Sequence, residues 1–207
     1  MVSKAETPTE YITDGLVLWL DGINKGNTPD VWTDLIRGYE YDAINGVVFN
    51  PDNVQLNGIN QYLQNTSFNC PVLRNATIEV VCSGATSTQV LFASKNNSLC
   101  FGFFYSNSTI NVIRGIGVNN NREITAFSDA SGSFSISDIH QLRNGQQGTL
   151  GNENNFNASN EFNFIGRRNT GTYFNGEIYC IRIYKRQLTL EEAISNYQVD
   201  RQRFSLF

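Results

Sequence analysis

The stretch FNGEIYCIRIYKRQLTLEEAISNYQ, residues 174–198, changes its hydrophobic period partway through. Its first half alternates. Tyr179, Ile181 and Ile183 fall on one side and Cys180, Arg182 and Tyr184 on the other, which is the spacing of a pleated strand. The Asn175-Gly176 pair in front of it tolerates positive φ and reads as a two-residue hairpin turn. Further on the period becomes helical. Thr189 and Glu192 make a T-x-x-E capping box, in which hydroxyl and carboxylate each satisfy a backbone N–H left unpaired at a helix start, and Leu188 with Ala193 supplies a hydrophobic staple. Leu190, Ala193, Ile194 and Tyr197 recur at i, i+3, i+4 and i+7, so a short helix with one apolar stripe is expected to lie on a larger body.

That body reads as antiparallel β structure. Asn-Gly pairs recur at 45–46, 57–58 and 144–145, flanked by β-rich sequence such as YEYDAINGVVF and NVQLNGINQYLQ, and each is expected to turn a hairpin. Further strand-like segments are GLVLWLDG (15–22), ATIEVVCS (76–83), TQVLFAS (88–94), LCFGFFYSNSTINVI (99–113), REITAF (122–127) and FNFIGRR (162–168). Short strands at this spacing predict an all-β sandwich or barrel. Residues 1–14, polar and Pro-containing, read as an N-terminal arm before a single domain over 15–207.

Composition sets further bounds. A chain of 207 residues fits one domain and buries enough surface, roughly 70% of what its unfolded form exposes, to need no metal or disulfide. Only 16% of residues are charged and the formal net charge is −4, so nucleic acid is not expected as a partner. No apolar run is long enough for membrane insertion, and the amino terminus carries no signal-peptide core. Cys70, Cys82, Cys100 and Cys180 lack metal-site spacing and read as reduced core residues, with a disulfide as the alternative.

Four segments together resemble the laminin-G-like, concanavalin A-like jelly-roll family: GLVLWLDG, the W-x-D-L of Trp32, Asp34 and Leu35, NVQLNGINQYL, and the closing G-x-I-x-x-I-R-I-Y-x-R-x-L-T-x-E-E. The resemblance covers residues 15 to about 203. It implies an antiparallel two-sheet jelly roll with one short C-terminal helix, and a module that binds glycans or proteins. Such modules occur in secreted enzymes, adhesins and phage structural proteins. Family members often carry an Asp after G-x-I, a frequent contributor to calcium sites, where this chain has Tyr179. Calcium is therefore possible but disfavoured, and no other cofactor is implied. Asp21 and Asp34 are expected to serve caps and turns, because Ca²⁺ wants six to eight oxygens and no D-x-D-x-D cluster exists.

No catalytic residue is assigned. A concanavalin A-like glycosidase needs paired carboxylates flanking one bond, often as E-x-D-x-x-E, and that triplet does not occur. His140 lacks a nucleophile context and reads as a lone surface histidine. The candidate ligand-binding residues lie in two loops: Arg167, Arg168, Asn169, Tyr173 and Asn175 in RRNTGTYFNG, and Asn119, Asn120 and Arg122 in GVNNNRE. Aromatic faces, amides and guanidinium groups suit a neutral polyol, although the same mixture suits a solvated Asn-rich loop. Trp19 and Trp32 read as core. The resemblance to phage capsid-decorating and tail modules, with the absence of an export signal, leads to the expectation of a non-enzymatic virion surface protein. Its partners would be other virion proteins or cell-surface glycans, with the arm as anchor. The alternative is a lectin-like module of a secreted or cell-surface protein.

Overall fold

The computed structural model describes residues 10–67, 76–84, 89–93, 100–106, 109–115, 121–124, 131–137, 140–148, 163–168 and 171–205. In these, sixteen strands and one helix follow in chain order. They are β1 (Leu16–Asp21), β2 (Val31–Thr33), β3 (Glu40–Ile44), β4 (Val48–Phe49), β5 (Val54–Asn57), β6 (Tyr62–Gln64), β7 (Thr77–Gly84), β8 (Gln89–Ala93), β9 (Cys100–Ser106), β10 (Thr109–Gly115), β11 (Asn121–Ile124), β12 (Gly132–Ile136), β13 (Gln141–Arg143), β14 (Gln146–Gln147), β15 (Phe164–Ile165), β16 (Asn175–Tyr184) and α1 (Leu190–Phe204). Every strand pairing is antiparallel. Sheet A runs β14-β13-β12-β7-β16-β5-β4, and β1 also pairs with β16; sheet B runs β11-β10-β9-β8-β15-β6-β3-β2. The chain is thus the all-β sandwich with a C-terminal helix that its periodicity predicts.

Alternation builds the core. Leu18, Leu20, Val54, Leu56, Ile78, Val80, Phe134, Ile178, Ile181 and Ile183 of sheet A meet Trp32, Tyr41, Leu63, Leu91 and Ile165 of sheet B in one cluster, all nearly inaccessible to solvent. Each such side chain contributes about 1.5–3 kcal/mol of transfer free energy. Trp32 also donates its indole N–H to the Asp21 carbonyl at 3.0 Å. Trp19 is only half-buried, with its ring edge-on to Tyr11 at 5.3 Å. Cys82 and Cys180 are free and buried, as expected; the side chains of Cys70 and Cys100 lie outside the described residues. Burial pushes the Cys180 thiol up to about 12, so it stays protonated and inert.

β16 does not alternate as written. Its register against β7 slips between Ile178 and Cys180, a bulge that leaves Tyr179 as the extra residue. Ile178, Ile181 and Ile183 therefore share the inner face, while Tyr179 and Cys180 both belong to an outer cluster with Val81 and Phe204. A two-residue period cannot register one inserted residue. The Asn-Gly pairs also divide. Asn144-Gly145, with φ of 51° and 73°, closes the β13–β14 hairpin. Asn45-Gly46 has the same left-handed pair of angles but joins β3 of sheet B to β4 of sheet A. Asn57-Gly58 likewise crosses between sheets. Asn175-Gly176 is no turn: both residues are paired in β16, to Asn57 and to Leu56 and Gly84. Gly58 at φ +69° packs directly on Asn175, where an added Cβ would come within 2.5 Å of the Asn175 Cβ.

The helix begins where the capping box places it. Thr189 Oγ1 accepts from the Glu192 N–H at 3.2 Å, and Glu192 Oε2 accepts from the Thr189 N–H at 2.8 Å. Its buried stripe is rotated from the predicted one. Ala193, Asn196, Val199, Asp200 and Phe204 face the outer side of sheet A, whereas Leu190, Ile194 and Tyr197 are half-buried. The reason is that this side of the sheet is polar: Thr77, Glu79, Ser133, Ser135 and Arg182 point away from the sandwich core toward α1, so polar helix residues are the complementary ones.

Candidate functional site

Two arginine centres stand out, one on the outer face of each sheet. Beneath α1, Arg182 is 1% exposed. Its Nε donates to Glu79 Oε2 at 2.8 Å, and Nη1 and Nη2 form a fork onto both Asp200 oxygens at 2.8 and 3.0 Å. Tyr11 and Ser133 hydroxyls donate to the same Asp200 carboxylate at 2.8 and 2.7 Å. Asn196 Nδ2 donates to Glu79 Oε2 at 2.8 Å and to the Tyr184 hydroxyl at 3.0 Å. The guanidinium lies 3.9 Å from the centroid of the Tyr11 ring. Burial raises the Glu79 carboxyl above the usual carboxylate range, outweighing Arg182, whose charge is shared with Asp200. Burial likewise raises the Tyr11 and Tyr184 hydroxyls.

This network corrects two expectations. Residues 1–14 read in sequence as an arm before the domain, yet Tyr11 is 7% exposed and Ile12 is tied at both ends: its N–H donates to Asn196 Oδ1 at 2.9 Å, and its carbonyl accepts from the Tyr184 hydroxyl at 3.0 Å. The domain therefore reaches back at least to Tyr11, since the outer face of β16 offers a tyrosine and an arginine that the chain before β1 can cover. Residues 1–9 lie outside the described residues. His140 is not on the surface either. It is 1% exposed, with Nε2 and Nδ1 each 3.0 Å from the hydroxyls of Ser135 and Ser137. The SFSIS alternation turns its serines outward from the core, and they supply the partners that a buried imidazole needs.

The second centre lies on the outer face of sheet B. Arg167 and Tyr173 form an isolated antiparallel bridge, closed by a turn in which the Gly171 N–H donates to the Arg168 carbonyl at 3.2 Å and the Arg168 N–H to the Thr172 carbonyl at 2.9 Å. Leu63 and Ile165 point into the core, so their neighbours Tyr62 and Phe164 point out. The Arg167 guanidinium stacks on both rings, 4.5 Å from the Tyr62 centroid and 5.2 Å from that of Phe164. Tyr173 stands 6.4 Å from Tyr62, tilted by 43°. Tyr62, Arg167 and Tyr173 are all half-buried. Arg167 Nε is buried, and among the described residues no oxygen accepts from its guanidinium.

Of the sequence candidates, the structure thus brings together Arg167 and Tyr173. Arg168 lies beside them, and Asn175 is exposed at the start of β16 in the other sheet. Asn169, Asn119 and Asn120 lie outside the described residues. Arg122 sits in β11, with β10, β9 and β8 between it and β15, roughly 19 Å across four strand spacings. Tyr62 and Phe164 were missed. The outward positions of NQYLQ and FNFIG, read against Leu63 and Ile165, carry the signal that finds them.

The carboxylates of Asp21 and Asp34 are taken up by hydrogen bonds. Asp34 accepts from the backbone N–H groups of Trp19, Ile36 and Arg37, and Asp21 from those of Ile23, the Asn24 amide and Arg203. Lys25 Nζ occupies the neighbouring carbonyls of Gly22 and Pro51. No group of three or more metal-capable side chains occurs among the described residues.

Comparison with protein families and with curated proteins finds no match to the sequence. Solved structures do match. The binding domain of botulinum neurotoxin DC, in complex with rat synaptotagmin II, aligns over 90% of this chain and 52% of its own at TM-score 0.64 and 14% identity. What is shared is the sandwich fold. The Trypanosoma rangeli sialidase in complex with sialic acid aligns over 90% of this chain and 33% of its own, with TM-score 0.59 and 14% identity. The botulinum neurotoxin serotype G binding domain aligns over 89% and 51%, at 0.56 and 16%. The chain therefore spans about a third to a half of the length of these proteins.

Proposed function

We propose that the chain is a non-catalytic binding module for glycans, with the outer face of sheet B around Tyr62, Arg167 and Tyr173 as its binding surface. The observation that carries this reading is the half-buried Arg167 guanidinium, stacked on tyrosine and with no acceptor for its buried Nε among the described residues. A sugar offers hydroxyls to such a fork and a C–H face to a tyrosine ring. The likeness in fold to proteins recorded with sialic acid and with a protein partner supports a binding role. Among the described residues, Glu79 and Asp200 share Arg182 at 2% exposure each and the Ser135–His140 pair is buried, which argues against catalysis by either pair. The proposed setting is a virion surface, with other virion proteins and cell-surface glycans as partners. It rests on the resemblance of the sequence to phage modules of the laminin-G-like family, and a secreted lectin-like module would use the same surface.

A glycan array read with the wild-type protein and with Tyr62→Ala and Tyr173→Ala tests the module. Binding that both substitutions abolish while the melting temperature holds supports it. Binding indifferent to both, or turnover of a polysaccharide or chromogenic glycoside panel, sinks it. Mass spectrometry of purified particles that never detects the chain removes the virion setting.

A further inference from the structure

We propose that this surface selects carboxylate-bearing sugars, with the edge of the Arg167 guanidinium as the selecting group; the inference rests on the glycan-binding reading above. Tyr62 and Phe164 lie against that guanidinium at 4.5 and 5.2 Å, and with their ring centroids 5.8 Å apart both stand to one side of it. What remains for a ligand is the other side and the edge of N–H groups. Three other arginines meet carboxylates at that edge, and a fourth meets a carbonyl: Arg182 holds Asp200 and Glu79, Arg186 holds Glu192, Arg203 holds Asp21, and Arg143 donates to the Ser131 carbonyl. Arg167 departs from the pattern, with a buried Nε and no acceptor among the described residues. The described carboxylates on the same face are too far away. Asp42 is in register with Gln64, and Gln64 with Phe164, so Asp42 stands two strands from β15, about 10 Å off.

A guanidinium edge presents two roughly parallel N–H groups, which matches the two oxygens of a carboxylate and not the single oxygen of a hydroxyl. A neutral sugar leaves part of the fork unmet, and an unmet buried donor is costly. A carboxylate satisfies it. Tyr173, tilted beside Tyr62, supplies a wall for the C–H face of a single ring, which favours a sugar acid over a flexible acidic peptide.

The test titrates the full chain with methyl glucuronoside against its methyl ester, and with sialyllactose against lactose, at one ionic strength. The acids should bind at least about tenfold more tightly than their neutral counterparts, about 1.4 kcal/mol. Arg167→Met should erase that ratio, costing the acids at least about tenfold more than it costs the neutral sugars. Arg167→Lys, which keeps the charge but not the fork, should still lose most of it, and it serves the same purpose if the Met variant fails to fold. Equal binding of acid and neutral forms, or a ratio that survives both variants, overturns the selectivity while the glycan module stands. No binding of any sugar overturns both. Tighter, Arg167-dependent binding of an oligoglutamate peptide than of any sugar acid overturns the ligand class.

Discussion

Arg182 and Arg167 each lay a guanidinium on a tyrosine ring, 3.9 Å from Tyr11 and 4.5 Å from Tyr62, and there the likeness ends. Arg182 is sealed under α1 with Glu79 and Asp200 satisfying its fork, so its binding capacity is spent inside the molecule. Arg167 sits half-buried on the other sheet, its Nε unmet among the described residues. The same side chain is a fastener in one place and a candidate receptor in the other, and what separates them is whether the chain covers the sheet face with its own carboxylates.

The largest test of that contrast is Arg182→Met. It leaves Glu79 and Asp200 buried without a cation, which costs about 3–5 kcal/mol. At 2–4 °C per kcal/mol for a chain of this size, the melting temperature should fall by roughly 6–20 °C. A fall of a degree or two would mean that the network fastens nothing. Next in size is truncation through Asp14, which removes the Tyr11–Asp200 bond and both bonds of Ile12. At about 1 kcal/mol per hydrogen bond, with the Tyr11 ring lost as well, the expected cost is on the order of 2–4 kcal/mol by thermal or chemical denaturation. An unchanged midpoint would return these residues to a detached arm.

A pH series sharpens the same point. Glu79 is raised by burial, so the folded protein holds its proton more tightly than the unfolded chain does. Its contribution is fully present below the ordinary value near 4.5 and is lost as pH rises through the folded value. Glu192, lowered chiefly by its hydrogen bonds from Arg186, works in the opposite sense: its contribution is present above about 4.5 and lost as pH falls through its folded value. The melting profile of Glu79→Gln should therefore lack the decline above 4.5 while keeping the acid limb, and profiles that run parallel would contradict this. The smallest effect is that of Arg167→Met. Losing one stacked, partly exposed guanidinium should change stability by about 0.5–1 kcal/mol at most. A loss as large as that of Arg182→Met would make Arg167 structural too and would end the comparison.

How much of this was legible depended on whether local spacing or long-range geometry decided the matter. The all-β class, the strand over 179–184 and the capping box of Thr189 and Glu192 follow from residues adjacent in sequence, and they hold. The Asn-Gly pairs reported their left-handed angles at 45–46 and 144–145, but not which sheet the chain enters next. The Tyr179 bulge is set by pairing with β7, nearly a hundred residues earlier. Arg182 alternates with Ile181 and Ile183 in CIRIY, and it points away from the core that they enter. Only the helix stripe of Asn196 and Asp200 at i and i+4, read together with SFSIS and TIEVV, tells that this polar face is covered. Of the candidate site, the Arg167–Tyr173 hairpin was visible as one loop, while Tyr62 and Phe164 come from strands whose adjacency no local pattern fixes.

The position of β16 bears on how the protein is made. It is the strand to which β1, β5 and β7 all hydrogen-bond, and it follows all three in the chain. During synthesis at 5–20 residues per second, β1 therefore waits on the order of ten to thirty seconds for the neighbour that completes it. In that interval its edge and the apolar face of β7 are open to other nascent chains. Such a molecule should refold in milliseconds to seconds rather than microseconds, and truncation before Asn175 should yield aggregate rather than a smaller folded sandwich.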